Sequence, residues 1–285
     1  MNTAAASIAS WPLAASPRTA DDVWKAAYPD FVAMVNQTNV MPGGHATLNT
    51  WALNSRMDER STLLDVACTT GFTSRELARL TGCAATGFDL SEDAVALARY
   101  NHQVGGHQLR LQYTQADGTA FAPGRTFSHI AVGAALGFFP DPPAIAARLL
   151  GLLDDGGYIL AAPFWCDHPL PPGVVRIRRE VFGITSPMET REQARALFRG
   201  LDVLYQADHR LHPESDDDIE HYCLSTVDRC CAQAGIEDRT VREAMIVRLR
   251  AIKHATNRLR EHQSYSVLVL RLDRRTYPQR FVELF

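Results

Sequence analysis

The run Thr62-Leu63-Leu64-Asp65-Val66-Ala67-Cys68-Thr69-Thr70-Gly71, leading into the helical pattern of Phe72-Thr73-Ser74-Arg75-Glu76-Leu77, constrains this chain more than any other stretch. A short apolar run that ends on an acidic residue reads as a buried strand. A tight turn of small residues follows, and then a helix starts. Open α/β sheets hold nucleotide-like ligands at such a junction, where the first amides of the helix are unpaired. The turn contains one glycine, Gly71, the residue that adopts positive φ without steric cost. A pyrophosphate needs the closer backbone approach of G-x-G-x-x-G, and a P-loop needs Gly-Lys followed by Ser or Thr; neither pattern is present.

The same alternation continues along the chain. Strands are expected at 62–67, 84–89, 109–115, 127–134 and 158–163, with helices at 72–81, 92–103 and 142–153 between them. That order implies a mostly parallel sheet with right-handed crossovers. A helix at 189–199 and a strand at 202–208 follow, then helices at 216–233 and 239–262 and a final strand at 265–272. Residues 166–186 carry Pro169, Pro171, Pro172, Gly173 and Gly183 and read as a long loop. Ahead of the sheet, one helix is expected from Asp21, with a break or kink at Pro29, and a second over 46–56. The expected division is a flexible N-terminus at 1–20, an N-terminal helical lid at 21–60, a ligand-binding core at 61–212, a helical insertion at 213–263 and a last strand with tail at 264–285.

Composition excludes several classes. The chain has 285 residues, a hydrophobic fraction of 46%, a charged fraction of 21% and a net charge of −3, so nothing draws it in bulk to nucleic acid or anionic membrane. Its arginines between 239 and 260 would suggest a nucleic-acid stripe, but 213–263 holds ten Asp/Glu against eight Arg/Lys and no interleaved aromatic row. No run of about 18 apolar residues is present, so no membrane span is expected. Six cysteines at 68, 83, 166, 223, 230 and 231 form no Cys-x-x-Cys pair, which suits a reducing cytoplasm.

Five segments in order carry a resemblance. They are Asp65-Val66-Ala67-Cys68-Thr69-Thr70-Gly71, Gly87-Phe88-Asp89-Leu90-Ser91, Ala116-Asp117-Gly118, Phe127 to Asp141, and Leu152 to Leu160 with its Asp155-Gly156-Gly157 turn. Together, over 62–163, they resemble the class I S-adenosylmethionine (SAM)-dependent methyltransferases. Ala67 and Thr69 stand where that family commonly has glycine, and Asp155 where it commonly has proline. The resemblance implies an α/β Rossmann-like seven-stranded sheet whose last strand is antiparallel, with N-terminal helices and a helical insertion between strands six and seven. It implies SAM as cofactor, with Asp65 fixing the loop, Asp89 accepting the ribose hydroxyls and Asp117 accepting the adenine amino group. The implied cofactor set is Asp65, Ala67, Cys68, Thr69, Gly71, Asp89, Leu90, Ala116, Asp117, Gly118 and Gly133.

Methyl transfer is an in-line displacement, in which the enzyme holds nucleophile and methyl group together and excludes water. A base helps where the nucleophile must lose a proton. His168, just past the fifth strand, is the preferred base or positioning group, with His45 and Tyr28 as further candidates. Phe31, Phe138, Phe139, Trp165 and Tyr222 are expected to line an apolar acceptor pocket. Cys166, Asp167 and His168 are consecutive, and adjacent residues rarely converge on one ion, so no metal is expected. The expected function is methylation at carbon, nitrogen or oxygen of a small apolar or aromatic specialised metabolite, bacterial in type. No nucleic acid or membrane partner is expected, and self-association through 213–263 is left open. The alternative is a non-catalytic SAM-binding sensor or partner protein, motivated by the two absent glycines.

Overall fold

Strand β1 (Thr62–Val66) pairs in parallel with β2 (Ala84–Asp89) on one side and β4 (Phe127–Gly133) on the other. The computed structural model describes residues 11–12, 16–37, 41–105 and 108–275. β3 (Leu111–Gln115) joins β2, and β5 (Leu153–Ala161) joins β4, all in parallel. The direction then reverses: β8 (Ser264–Arg271) pairs antiparallel with β5, with the two-residue β6 (Phe164–Trp165) and with β7 (Asp202–Arg210). The mixed α/β sheet therefore has the expected form, ordered β3-β2-β1-β4-β5-β8, with both β7 and the short β6 on β8, so that it counts eight strands where seven were expected. β1 and β4 read as nearly continuous apolar runs because both of their faces are covered.

One face is covered by α3 (Gly44–Asn54), α4 (Phe72–Thr81) and α5 (Glu92–Gly105), through Leu48, Trp51, Leu77 and Val95. The other carries α6 (Pro142–Gly151) and the segment that follows α8 (Arg191–Ala196), through Ile145, Leu149, Phe198 and Leu201. A third apolar cluster lies among helices. It joins α1 (Ala20–Lys25), α2 (Tyr28–Met34), α7 (Pro172–Phe182), α9 (Asp216–Ala234) and α10 (Arg239–Arg260), and reaches the sheet through Leu97 and Tyr100 of α5.

Three local features differ from the sequence expectation. The expected break of the N-terminal helix falls at Ala26 and Ala27, ahead of Pro29, which sits in the first turn of α2, where its missing N–H removes nothing. The expected loop at 166–186 contains α7, which starts at Pro172 and stops at Gly183 with φ 70°. Its prolines and glycine mark the helix ends and leave the interior intact. β5 begins at Leu153, earlier than expected, with a register shift between the Phe127–Leu153 and His129–Tyr158 pairs and Gly156 at φ 76°.

Of the expected flexible N-terminus, 1–10 and 13–15 lie outside the described residues. Trp11 is buried, with its ring edge-on to Tyr100 at 5.2 Å. The basic residues of α10 pair with acids of α9 and its approach: Arg242 with Asp228, Arg250 in a fork to Glu220, and both Arg260 and Lys253 with Glu214. Four of the seven arginines and lysines of α10 are thereby paired with acids. All six cysteines are free and buried, and no described helix is long and apolar enough to cross a membrane.

Candidate cofactor and acceptor site

The loop after β1 places alternate residues in the left-handed region: Ala67 at φ 52°, Thr69 at φ 48° and Gly71 at φ 77°. The backbone thus has the form that glycines would give it, although two of the three residues carry a Cβ. Each such residue costs about 1–2 kcal/mol, and the surroundings hold it. Cys68 N donates to Phe88 O at 2.9 Å and Gly71 N to Cys68 O at 2.8 Å. Thr69 N donates to Asp89 Oδ2 at 2.9 Å, and the Thr70 hydroxyl donates to Gln37 O at 2.7 Å. Gly71 cannot be replaced, since a Cβ there would lie 2.6 Å from the Tyr113 hydroxyl.

Asp65 sits under this loop, and its Oδ2 accepts Ser74 N at 3.0 Å in the first turn of α4. Burial is the main cause that raises its pKa to about 6, with the Ser74 bonds opposing. Asp89, at the end of β2, is 7% exposed and accepts Thr69 N on one oxygen and Ser91 N, at 3.0 Å, on the other. Burial pushes its pKa up and these amides pull it back. Each carboxylate oxygen still has a second lone pair for a ligand hydroxyl. Leu90, next in sequence, is 70% exposed. Ala116 N donates to Asp89 O at 2.9 Å, which brings the end of β3 alongside. There Asp117 is exposed and its carboxylate accepts Thr119 N at 2.8 Å; a Cβ on Gly118 would meet the Phe139 ring at 2.7 Å. Gly133 closes β4 at φ 50°, near Met41. The expected cofactor residues therefore gather along the carboxyl edge of β1 to β4, the place where open α/β sheets bind ligands.

The expected acceptor residues separate. Tyr28 is half-buried, edge-on to Phe182 at 5.0 Å, and burial followed by the neighbouring Tyr222 pushes its hydroxyl up to about 12. Tyr222 is also half-buried, with Lys253 Nζ 4.5 Å from its ring centre. Phe138 is exposed on the 3-10 turn Ala135–Phe138 after β4, and His168 is exposed between β6 and α7. Three placements correct the sequence reading. Phe31 is fully buried under the Arg248 guanidinium, 4.4 Å from its ring centre, so it is core of the helical layer. Trp165 is buried and donates from Nε1 to Ser266 Oγ at 2.9 Å, which makes it part of the sheet. His45 leaves 67% of its side chain in solvent, lies 3.8 Å from Glu76 and sets its ring edge-on to Phe72 at 5.2 Å, at the start of α4, so it is a surface group beside the loop and not a buried base.

Two features were not read from the sequence. Asn36, at φ 45°, exchanges amide hydrogen bonds with Asn101 of α5 at 3.0 and 2.8 Å. Asn101 also donates to Thr70 O at 3.1 Å, and Arg229 of α9 donates to Asn36 O at 3.2 Å. The second is Arg178, 6% exposed on the inner face of α7. The spacing Val174, Arg178, Phe182 places it within an apolar helical stripe, a signal that was present in the sequence once α7 is known to be a helix.

A carboxyl-edge site with this loop and strand order defines the Rossmann-like class I methyltransferase fold. Residues 63–157 match a family model described as a methyltransferase domain. An uncharacterised protein of Haemophilus influenzae is 32% identical over 88 residues, 31% of this chain, and the chain spans about a third (35%) of that relative's length. Among solved structures, the MccD protein superposes with a TM-score of 0.65 at 23% identity, over 82% of this chain and 100% of that one. A SAM-dependent methyltransferase from Geobacter sulfurreducens in complex with S-adenosyl-L-homocysteine (SAH) gives 0.62 at 20% identity, over 86% and 98%. The [4+2]-cyclase SpnF gives 0.55 at 20% identity, over 80% of each chain. Residues 63–157 thus match a methyltransferase domain, and the chain shares the fold of these structures.

Proposed function

We propose that the protein is a SAM-dependent methyltransferase acting on a small acceptor. The observation that carries this reading is the loop Ala67–Gly71, which keeps the left-handed turns of a SAM loop without its glycines. Its Cβ atoms crowd out a pyrophosphate and leave room for an amino-acid tail, whose ammonium and carboxylate meet backbone C=O and N–H groups. The residues present suit the rest of the molecule: buried Asp89, with lone pairs left over, would accept the ribose hydroxyls, exposed Leu90 would pack on the adenine, and Asp117 would accept its amino group. SAM supplies an electrophilic methyl group on a sulfonium centre. The chain's own residues orient the acceptor and exclude water, and the neighbouring half-buried tyrosines Tyr28 and Tyr222 support an acceptor site between α2 and α9. No metal takes part in this reading, and full activity in EDTA is the expected result. The acceptor atom is carbon, nitrogen or oxygen of a specialised metabolite.

A second reading has its own observation. The same fold serves a [4+2]-cyclase, and the two histidines expected to act as bases, His45 and His168, are both exposed. In that reading SAM binds and is not consumed. Calorimetry with SAM, SAH and NADH, followed by transfer of labelled methyl to an extract of the source cells, separates the cases. Binding of SAM and SAH with label appearing in a small molecule supports methyl transfer. Binding without label in any product supports the reading in which SAM is bound and not consumed, and preference for NADH overturns both.

A further inference from the structure

We propose that Arg178 anchors an anionic oxygen group, a carboxylate or a phosphate, on the acceptor; the inference rests on the functional reading above and names its substrate class. Arg178 is 6% exposed, yet among the described residues its guanidinium makes one hydrogen bond, from Nη1 to Ser186 O at 3.0 Å. Its Nε is buried with no partner, and no carboxylate among the described residues lies within ion-pair distance of it. A buried charge in this state is expensive unless something pairs with it.

Arg75 shows the contrast. It is equally buried, but it reaches Thr70 O and Gly71 O and has Glu76 at 3.6 Å. The groups around Arg178 do not neutralise it. Cys166 lies beside it, and burial pushes that thiol up despite the arginine, so the thiol remains protonated. Asp167 is exposed, and Glu189, also pushed up by burial, engages Cys166 through its backbone carbonyl.

The position is that of an acceptor anchor. The Ser186 hydroxyl donates to Gly137 O at 2.6 Å, in the turn that follows β4, and Cys166 immediately follows β6. One helical turn from Arg178, Phe182 touches Tyr28. Arg178 therefore stands between the turn after β4 and the half-buried tyrosine of α2. With Nη1 committed to Ser186, the Nε and Nη2 hydrogens form the free edge of the guanidinium, two parallel donors that match a carboxylate or phosphate side-on.

The test titrates SAH-saturated protein with benzoate, phenylacetate and indole-3-acetate, each against its carboxamide, and with phenyl phosphate as a second arm. At least one anion is expected to bind roughly 10-fold or more tightly than its neutral partner. Arg178→Met should abolish that preference and Arg178→Lys should retain part of it, with SAH affinity unchanged in both. Tighter binding in the phosphate arm identifies the group as phosphate, and tighter binding of the acids identifies carboxylate. Amides and acids binding alike throughout the panel, or a preference that survives in Arg178→Met, overturns the proposal. The wild-type comparison decides by itself if the Met variant does not fold. Failure of SAH to bind would count against the functional reading and not against Arg178.

Discussion

Asp65 is held where a charge is unwelcome, because the loop above it needs an acceptor for Ser74 N. Its pKa of about 6 lies above the ordinary 3.8, so between those values the folded chain keeps a proton that the unfolded chain releases. The contribution of this group to stability is therefore fully present below about pH 4 and is lost as pH rises through about 6. A shift of this size corresponds to about 3 kcal/mol at most. Asp65→Asn keeps an oxygen for Ser74 and carries no charge. It should be more stable than wild type by about 1–3 kcal/mol near pH 7.5 and indistinguishable near pH 4. Urea unfolding at both pH values checks this, and a difference independent of pH would refute the buried-charge account. Thr69 shows the same trade in backbone form: its left-handed φ is kept because Asp89 takes its amide.

At the level of elements, β1 and α4 could be placed almost to the residue, because a strand of Thr62-Leu63-Leu64 type followed by a glycine-entered amphipathic helix admits few other readings. β2 and β4 were legible as mostly buried runs set apart by turn residues, and β3 by its alternation of buried Leu111 and Tyr113 with exposed Gln112 and Gln115. α7 was not. Proline and glycine look like loop composition, and only the capping geometry shows that they bound a helix, so Arg178 went unnoticed with it. The acceptor side was illegible for a further reason. Burial of Phe31 and Trp165, and exposure of His45, depend on which helices pack together, and no local pattern carries that information. Arg248 is the residue that joins two such helices. It donates to the carbonyls of Val23 and Ala26, at the end of α1, and covers the Phe31 ring of α2. Replacing it by alanine should destabilise the protein by about 1.5–3 kcal/mol, the range for charged hydrogen bonds. Hydrogen exchange should accelerate in 20–34 before it does in β1 or β4; uniform acceleration would show that α1 and α2 are not held this way.

On the scale of the whole molecule, the two faces of the sheet and the helical layer have separate apolar clusters, so the layer can respond to the site as a unit. The connection is a short polar chain. Thr70 of the loop binds Gln37 and Asn101, Asn101 binds Asn36, and Asn36 accepts Arg229 of α9. A ligand that orders the loop at 67–71 therefore also fixes the carbonyl that Arg229 uses, and the two sites share free energy in both directions. Coupling of this kind is typically 1–3 kcal/mol, or about 5- to 150-fold in exchange protection. SAH should slow amide exchange at 67–74 and, through this chain, in the second half of α9 around 225–234. Asn101→Ala should leave the protection of the loop in place and remove that of α9, because the loop is still held by Asp65 and Asp89. Exchange measured by mass spectrometry, with and without SAH, separates the outcomes. Protection confined to the loop in the wild type would mean that the helical layer does not sense the cofactor. Protection of α9 that persists in Asn101→Ala would assign the coupling to the apolar contacts of Leu97 and Tyr100 instead.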